Sequence, residues 1–334
     1  MKNTPHPEFE FFTDTGAMCL DFHPNHPSLL AVGCYDGNVM VYDVAKKGGG
    51  GGAGGTKHGG NGPIYASSAV TGKHSDPVWQ VRWSPVEFAQ DLSFNSISGD
   101  GRVTTWVMSK SELKMEPLMQ LRLPADGTME SPSGLAGGLC FDFHATKDHL
   151  YLIGTEEGRI HMASTAYSGQ YLETFSGHHL AVYTLRWNRF HPDVFISCSA
   201  DWTVMVWDSK KKAPLMTFDL GSAVGDVSWA PYSSTVFAAV TSEGKVHIFD
   251  LNENKHEPLC EQKIVKRAKL TTVSFSERDP VIFVGDERGS VNSLKLSPNL
   301  RKVEVPTDDD GNPIPHDERK VQVDKMDHLL GSLA

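Results

Sequence analysis

The sequence predicts an all-β protein, a β-propeller with six recognisable blades, and three observations carry that expectation. First, a short acidic turn, usually ending in Gly, recurs down the chain and leads into an alternating apolar strand that closes on an aromatic residue. Asp36-Gly37 leads to Tyr42, Asp100-Gly101 to Trp106, Asp201-Trp202 to Trp207 and Glu243-Gly244 to Phe249, with weaker copies at Glu157-Gly158 and Arg288-Gly289. Second, a phrase keeps step with each turn: LDFHP (20–24), VRWSP (81–85), FDFHA (141–145), LRWNR (185–189), VSWAP (227–231) and VSFSE (273–277). Third, an apolar run lies between phrase and turn, as in SLLAVGC (28–34), DVFISCS (193–199), TVFAAVT (235–241) and PVIFVGD (280–286). Short runs rich in Val, Ile and Phe, bounded by Gly, Pro, Asn or Asp, read as buried antiparallel strands.

The turns from Asp100 onward recur every 42 to 57 residues or so, close to the roughly 40–45-residue period of WD40 propeller blades. Residues 1–300 are therefore assigned to a WD40 β-propeller and 301–334 to a C-terminal tail. In chain order, Phe9 to Phe12 reads as a strand that closes the ring by pairing with the last blade near 268–296, or that belongs to a blade upstream. An open propeller would leave strand edges exposed. The long first interval is explained by a Gly-rich inter-blade insert at 48–62, whose composition gives it no packing face. ELKMEPLMQLRL (112–123) reads as the outer strand of the second blade, followed by a loop at 124–138. The tail carries an acidic turn, TDDDGNP (307–313), then a short helix with Val323, Met326, Leu329, Leu330 and Leu333 near helical spacing.

Composition narrows the function classes. At 334 residues the chain holds a large core, and its formal charge of −10 disfavours nucleic acid or an anionic membrane as the main partner. The basic runs at 46 (KKGGG) and 209 (SKKKAP) read as solvated turns. Cys19, Cys34, Cys140, Cys198 and Cys260 show no CxxC pairing and fall mostly in apolar strands, which points to a reduced, intracellular compartment. No uninterrupted apolar stretch of about 18 residues indicates a membrane span. No HExxH, CxxC or HxH grouping supplies metal ligands, and His23, His26 and His144 sit at strand ends where they line turns. Neither GxxxxGK[ST] nor a strand-associated GxGxxG is present, so no nucleotide or other cofactor is expected.

The fourth blade holds the fullest polar set: His178 before the inner strand, Ser199 in the middle strand, Asp201 in the turn and Trp207 beyond it. The second blade repeats it with His74, Ser98, Asp100 and Trp106. In WD40 blades such groups resemble a hydrogen-bonded structural tetrad, in which a buried His and Asp satisfy each other while Trp adds area and one N–H. Ser199, His178 and Asp201 are also the residue types of a nucleophilic triad. Their recurrence at blade spacing is what a structural role predicts, and a triad is recognised by geometry and an oxyanion hole rather than by residue type. No catalytic residue is assigned. Partner contacts are expected on the loop tips around Asp36, Asp100, Trp202 and Glu243. Trp202 stands out because it replaces the small turn residue of the other blades, and an exposed aromatic is a binding anchor.

Several phrases go beyond the generic repeat: MCLDFHPNHPSLLAVGCYDGNV (18–39), KHSDPVWQVRW (73–83), FISCSADWTVMVWD (195–208), SAVGDVSWAPYSSTVFAAVT (222–241) and KLSPNLRK (295–302). From about residue 7 to 302 they resemble the propeller of the axonemal outer-arm dynein intermediate chains. The resemblance implies a non-motor subunit in the axoneme of a cilium or flagellum, within the cytoplasm and its cytoskeleton. Its partners would be a dynein heavy chain, a second intermediate chain and other outer-arm subunits, with microtubule association as part of the complex. The family's full-length members carry a seventh blade and an N-terminal region that recruits light chains, and neither is seen in this sequence. Tubulin's acidic surface would repel a body of charge −10, which favours docking on the heavy-chain tail. The competing reading is a WD40 adaptor of another complex, a cytoplasmic dynein intermediate chain or a ubiquitin-ligase substrate receptor. An enzyme has no constellation behind it.

Overall fold

The computed structural model of the chain describes residues 7–45, 62–84, 92–110, 112–123, 134–301 and 317–332. The Gly-rich run at 48–61, loop residues 124–133, the acidic turn at 307–313 and Leu333 lie outside them. The described residues form the six blades of a β-propeller, each an antiparallel sheet whose strands are neighbours in sequence. Blade 1 comprises β1 (Ala17–Phe22), β2 (Leu29–Cys34), β3 (Val39–Asp43) and β4 (Tyr65–Ala66). Blade 2 comprises β5 (Val78–Trp83), β6 (Ser93–Ser98), β7 (Arg102–Met108) and β8 (Leu113–Gln120). Blade 3 comprises β9 (Gly138–Phe143), β10 (Leu150–Thr155), β11 (Arg159–Ser164) and β12 (Glu173–Ser176). Blade 4 follows with β13 (Val182–Trp187), β14 (Val194–Ser199), β15 (Thr203–Asp208) and β16 (Met216–Asp219). Blade 5 has β17 (Val224–Trp229), β18 (Val236–Thr241), β19 (Lys245–Asp250) and β20 (Cys260–Lys263). Blade 6 has three strands among the described residues, β21 (Leu270–Phe275), β22 (Val281–Asp286) and β23 (Val291–Lys295). A 3-10 turn at Pro298–Arg301 and one helix, α1 (Glu318–Gly331), complete the described elements.

The chain divides into two compact units. One holds residues 1–140 and 164–171, the other residues 141–163 and 172–334. In the first unit, alternation along β1 decides which side chains are covered. Cys19 and Asp21 face blade 2, where Cys19 meets the Val78 carbonyl and Asp21 meets Trp83, while Met18, Leu20 and Phe22 on the other face are exposed. The expected strand at Phe9–Phe12 does not form. The Tyr42 hydroxyl donates to the Phe12 carbonyl at 3.0 Å, and the Phe11 ring packs on Tyr42 at 5.0 Å with a tilt of 49°. Among the described residues the segment meets blade 1 through that hydrogen bond and the aromatic contact.

In the second unit the cores run between successive blades. Val194, Ile196, Val204 and Val206 of blade 4 pack with Val227, Trp229, Phe237 and Phe249 of blade 5, and Ala238, Val240 and Ile248 of blade 5 pack with Val273, Ile282 and Val284 of blade 6. The middle strands β14 and β18 therefore bury both faces, which explains the near-continuous apolar reading of VFISCS and VFAAVT. Inner strands are also stitched to each other by polar groups. The Trp187 amide donates to the Asp142 carboxylate at 2.8 Å, and its indole N–H donates to the Asp142 carbonyl at 3.2 Å. The Trp229 indole donates to the Arg186 carbonyl at 3.2 Å, and the Val273 amide donates to Asp226 at 2.9 Å. In the first unit Trp83 repeats the double bond to Asp21, at 3.1 and 2.9 Å.

Helix α1 docks on its own chain, between blades 4 and 5. Asp317 caps its N-terminus by accepting from the Arg319 amide, and Met326 and Leu329 enter the blade 4–5 core with Leu330 beside them. The buried stripe is Gln322, Met326 and Leu329, so the expected stripe holds at Met326 and Leu329 but shifts by one residue at its start. Gln322 displaces Val323 because the Ser234 backbone needs it. The Gln322 side chain accepts from the Ser234 amide at 2.9 Å, and the Ser234 hydroxyl donates to the Gln322 carbonyl at 2.7 Å. At the exposed edge of the helix, Asp327 pairs with His191 at 3.1 Å.

Candidate functional site

The acidic-turn end of the blades carries the polar chemistry, built from turn geometry upward. In blade 4, β14 and β15 form a hairpin in which Phe195 lies opposite Trp207 and Ser197 opposite Met205. A Trp side chain reaches its diagonal neighbour on the facing strand, one step nearer the turn, and that neighbour is Ser197. The Trp207 indole donates to the Ser197 hydroxyl at 2.8 Å, Ser197 lies 2.7 Å from His178 Nε2, and His178 Nδ1 lies 3.0 Å from Asp201. An indole only donates, so Trp207 gives to Ser197, whose hydroxyl joins it to His178 Nε2, and His178 Nδ1 in turn joins Asp201.

Blade 2 repeats the arrangement, with Trp106 donating to Ser96 at 2.7 Å, Ser96 at 2.7 Å from His74 Nε2, and His74 Nδ1 at 3.0 Å from Asp100. The serines therefore differ from those expected. Ser199 and Ser98 lie two residues further along their strands, about 7 Å beyond the indole's neighbour at the usual strand rise. Their hydroxyls instead donate to the Leu180 and Asp76 carbonyls and accept from the Asp201 and Asp100 amides, closing the turn. Ser96 and Ser197 are both fully buried, with a lone pair already taken by an indole, so neither network presents an accessible nucleophilic hydroxyl.

The acids of both networks are held charged. Burial pushes the Asp201 carboxyl up, but hydrogen bonds from His178, from Thr203 and from the His179 amide outweigh it and keep the group well below the usual carboxylate range. Burial likewise opposes ionisation of Asp100, and His74 with the Ser75 and Arg102 amides overcomes it. The Asp100 side chain is only 4% exposed, so the network consumes it and it offers a partner almost nothing, contrary to its expected place among the docking residues. Asp36 is spent within its own turn, accepting from the Thr15 hydroxyl and the Asn38 amide. Glu243 remains about half exposed and pairs with Lys245 at 3.3 Å.

Trp202 is set apart by its backbone. Gly37, Gly101, Gly158, Gly244 and Gly289 occupy the same turn position with φ between 75 and 83°, and Trp202 adopts φ 73°, alone among the described non-glycine residues in having positive φ. In blades 1, 3 and 5 a Cβ at that glycine would come within 2.2–2.7 Å of a carbonyl of the following loop. In blade 4 the following loop yields: Leu220 donates its amide to the Trp202 carbonyl, and Gly221 takes φ 69° in open space. The Trp202 side chain is 53% exposed, with Leu180 and Tyr183 of the same blade 53% and 44% exposed. Tyr183 sits where the inner strand bulges between Val182 and Thr184, the same step at which β5 exposes Trp79. Sequence reading passed over these two aromatics. The signal was present in PVWQ and AVYT, where the corresponding residues of blades 5 and 6 are Gly225 and Thr271.

At the opposite ends of the strands the histidines act as turn caps. His23 Nδ1 accepts from the Asn25 and His26 amides, and His144 Nδ1 accepts from Thr146 and Lys147. His144 Nε2–H reaches the Pro192 carbonyl of the next blade at 2.8 Å, and Asn188 does the same to Ser234. Among the described residues no group of three or more His, Cys, Asp or Glu is placed to hold a metal ion, and no helix is long and apolar enough to cross a membrane.

Residues 8–43 and 169–208 match the WD domain, G-beta repeat family. The chain is 52% identical to ciliary dynein intermediate chain 2 of Heliocidaris crassispina, a match that covers 99% of this chain and 46% of that protein. It is 50% identical to the 78 kDa intermediate chain of the flagellar outer arm dynein of Chlamydomonas reinhardtii, over 92% and 44% of the two chains. Dynein axonemal intermediate chain 1 of Bos taurus is 47% identical, over 99% and 46%. The chain thus spans about half the length of the relatives it matches. Among solved structures, the computationally designed Ika8 protein shares the fold with a TM-score of 0.57 at 16% identity, over 85% of this chain and 72% of that one.

Proposed function

Over the C-terminal part of those proteins that it matches, the chain belongs to the axonemal dynein intermediate chains, and from that membership we propose a non-catalytic subunit of an outer-arm dynein. Its propeller docks on a dynein heavy-chain tail and helps assemble the arm that powers ciliary or flagellar beating in the axoneme. A second intermediate chain and other outer-arm subunits complete its surroundings, and it meets the microtubule as part of that complex. The buried state of both serine–histidine networks supports a scaffolding rather than a catalytic role.

The observation that carries docking is Trp202. A left-handed conformation costs an L-residue about 1–2 kcal/mol, and strain of this kind concentrates where a protein presents a group for use. An indole held there, half exposed on a blade that also exposes Leu180 and Tyr183, has the composition of an interface anchor. The test is co-purification of the chain with a heavy-chain tail fragment, comparing wild type with Trp202→Gly, which removes the indole and suits the turn. An anchor is worth at least about 2 kcal/mol, so binding should fall roughly 30-fold while the melting temperature does not fall. A wild-type chain that fails to associate with the tail overturns the reading. Unchanged binding by the variant removes Trp202 from it.

A further inference from the structure

The acidic cadence of the turns reverses at one place. The loop joining blade 5 to blade 6, KIVKRAK (263–269), carries Lys263, Lys266, Arg267 and Lys269, and the turn of blade 6 carries Arg288 where the other turns carry an acid. Hydrogen bonds wedge these residues together at one end of the second unit. The Ile264 amide donates to the Gly244 carbonyl at 2.9 Å, which fixes the loop against the turn of blade 5. On the other side, the Glu287 amide donates to the Lys269 carbonyl at 3.0 Å, the Lys269 amide donates to the Glu287 carboxylate at 3.2 Å, and Arg288 Nη2 donates to the Arg267 carbonyl at 2.7 Å. All five cations are exposed, and none forms an ion pair among the described residues. Nearby acids are already engaged: Glu243 and Glu261 both pair with Lys245, and the Asp286 carboxylate accepts from the Arg288 and Ser290 amides.

Five cations on two adjoining segments give a local positive field on a chain whose net charge is −10. Such a patch focuses attraction on a small anionic group, while the acidic body around it repels a large polyanion wherever the two come within a Debye length of about 8 Å. We propose that the 263–269 loop and Arg288 form a docking surface for a short acidic polypeptide segment of a partner protein. Ile264 and Val265 are partly covered and belong to the blade 5–6 core, so the loop presents charge with little apolar area. That balance favours a peptide held by side-chain carboxylates over a lipid surface. The cations are interleaved with apolar residues in the sequence, which hides the patch from a search for unbroken basic runs.

The experiment measures binding of the whole chain to a labelled twenty-residue Asp/Glu-rich peptide, with the matching Asn/Gln peptide as control, at low and high salt. Wild type should bind only the acidic peptide, and salt should weaken it. Lys266→Glu with Arg267→Glu should lower affinity about tenfold or more, Lys266→Gln with Arg267→Gln less, and the charge-matched pair Lys211→Glu with Lys320→Glu under twofold. Thermal melting of each variant guards against unfolding as the cause. Absence of binding by wild type, equal losses in the two Glu pairs, or equal binding of the Asn/Gln peptide overturns the proposal. Tighter binding of duplex DNA or of phosphatidylserine vesicles through the same residues overturns the choice of partner.

Discussion

Blades 4 and 5 place the same strands in the same register and fill the same interior position in opposite ways. In blade 4 the position holds Trp207, Ser197, His178 and Asp201 linked into one hydrogen-bonded chain. In blade 5, counted from the equivalent strand pairs, it holds Phe249, Ala239 and Leu220, and the turn acid is Glu243, which points out to solvent and Lys245. Both keep a stacked ring pair, Phe195 on Trp207 at 5.9 Å and 7°, and Phe237 on Phe249 at 4.7 Å and 11°. The ring pair is thus what these two blades share, and the polar chain is one way to close the space beside it. The apolar solution is not free of polar strain elsewhere: His247 of blade 5 is 3% exposed with no hydrogen bond to either ring nitrogen among the described residues, and burial lowers its pKa although the Glu261 carboxylate, 3.9 Å from Nδ1, opposes that shift.

The comparison breaks most visibly at the rings. Trp207→Ala and Phe249→Ala should each cost about 3–5 kcal/mol in urea unfolding, as large-to-small core changes do. A loss below about 1 kcal/mol in either would show that the two rings are not equivalent. Next in size, Ser197→Ala leaves the Trp207 N–H and His178 unpaired and should cost about 1–3 kcal/mol, against about 1 kcal/mol for Ser199→Ala. Equal costs would restore Ser199 to the network. The triple replacement His178→Leu, Ser197→Ala, Trp207→Phe, which imitates blade 5, should cost less than the sum of its parts, because it removes partners together.

Acid separates the blades by sign. The folded-state pKa of Asp201 lies below its unfolded value, so its contribution is fully present above the unfolded value and is lost as pH falls through the folded one. Asp226 of blade 5 runs the other way: burial raises its pKa, only partly countered by Arg186, the Val273 amide and Thr184, so its charged form is a burden at neutral pH that acid relieves. Asp201→Asn should therefore flatten the loss of stability below about pH 4, whereas Asp226→Asn should remove a relief that acid brings above that pH, between the raised folded pKa and the unfolded one. Parallel shifts in the two acid-unfolding profiles would refute the contrast. The smallest effect is at the blade 4 turn, where Trp202→Gly should raise stability by about 1 kcal/mol by removing the left-handed penalty. A melting temperature that falls instead would mean the indole packs as part of the core.

Strands and their faces were legible because each blade repeats them, and a period-two pattern bounded by turn residues admits one register. All six inner-strand phrases and the outer strand of blade 2 fall where the pattern puts them. The serine of the network was not legible, since Ser197 and Ser199 share one face of one strand and only the diagonal reach of the Trp207 side chain chooses between them. Phe9–Phe12 carries no strand among the described residues, and an alternating apolar run does not reveal contacts such as the one its Phe12 carbonyl makes with the Tyr42 hydroxyl. The bulge aromatics were hidden for a related reason: a bulge re-aims one side chain without changing the hydrophobic pattern around it.

The Gln322–Ser234 clamp turns one backbone amide into a gauge of the C-terminal helix. Ser234 is fully buried in blade 5, yet the partner of its N–H belongs to α1, so that amide meets solvent only when the helix lifts away. Its deuterium exchange rate then measures the population of the lifted state directly, while amides inside β18 report the slower opening of the whole blade. A partner that captured the helix would announce itself at Ser234 first, and leave β18 silent.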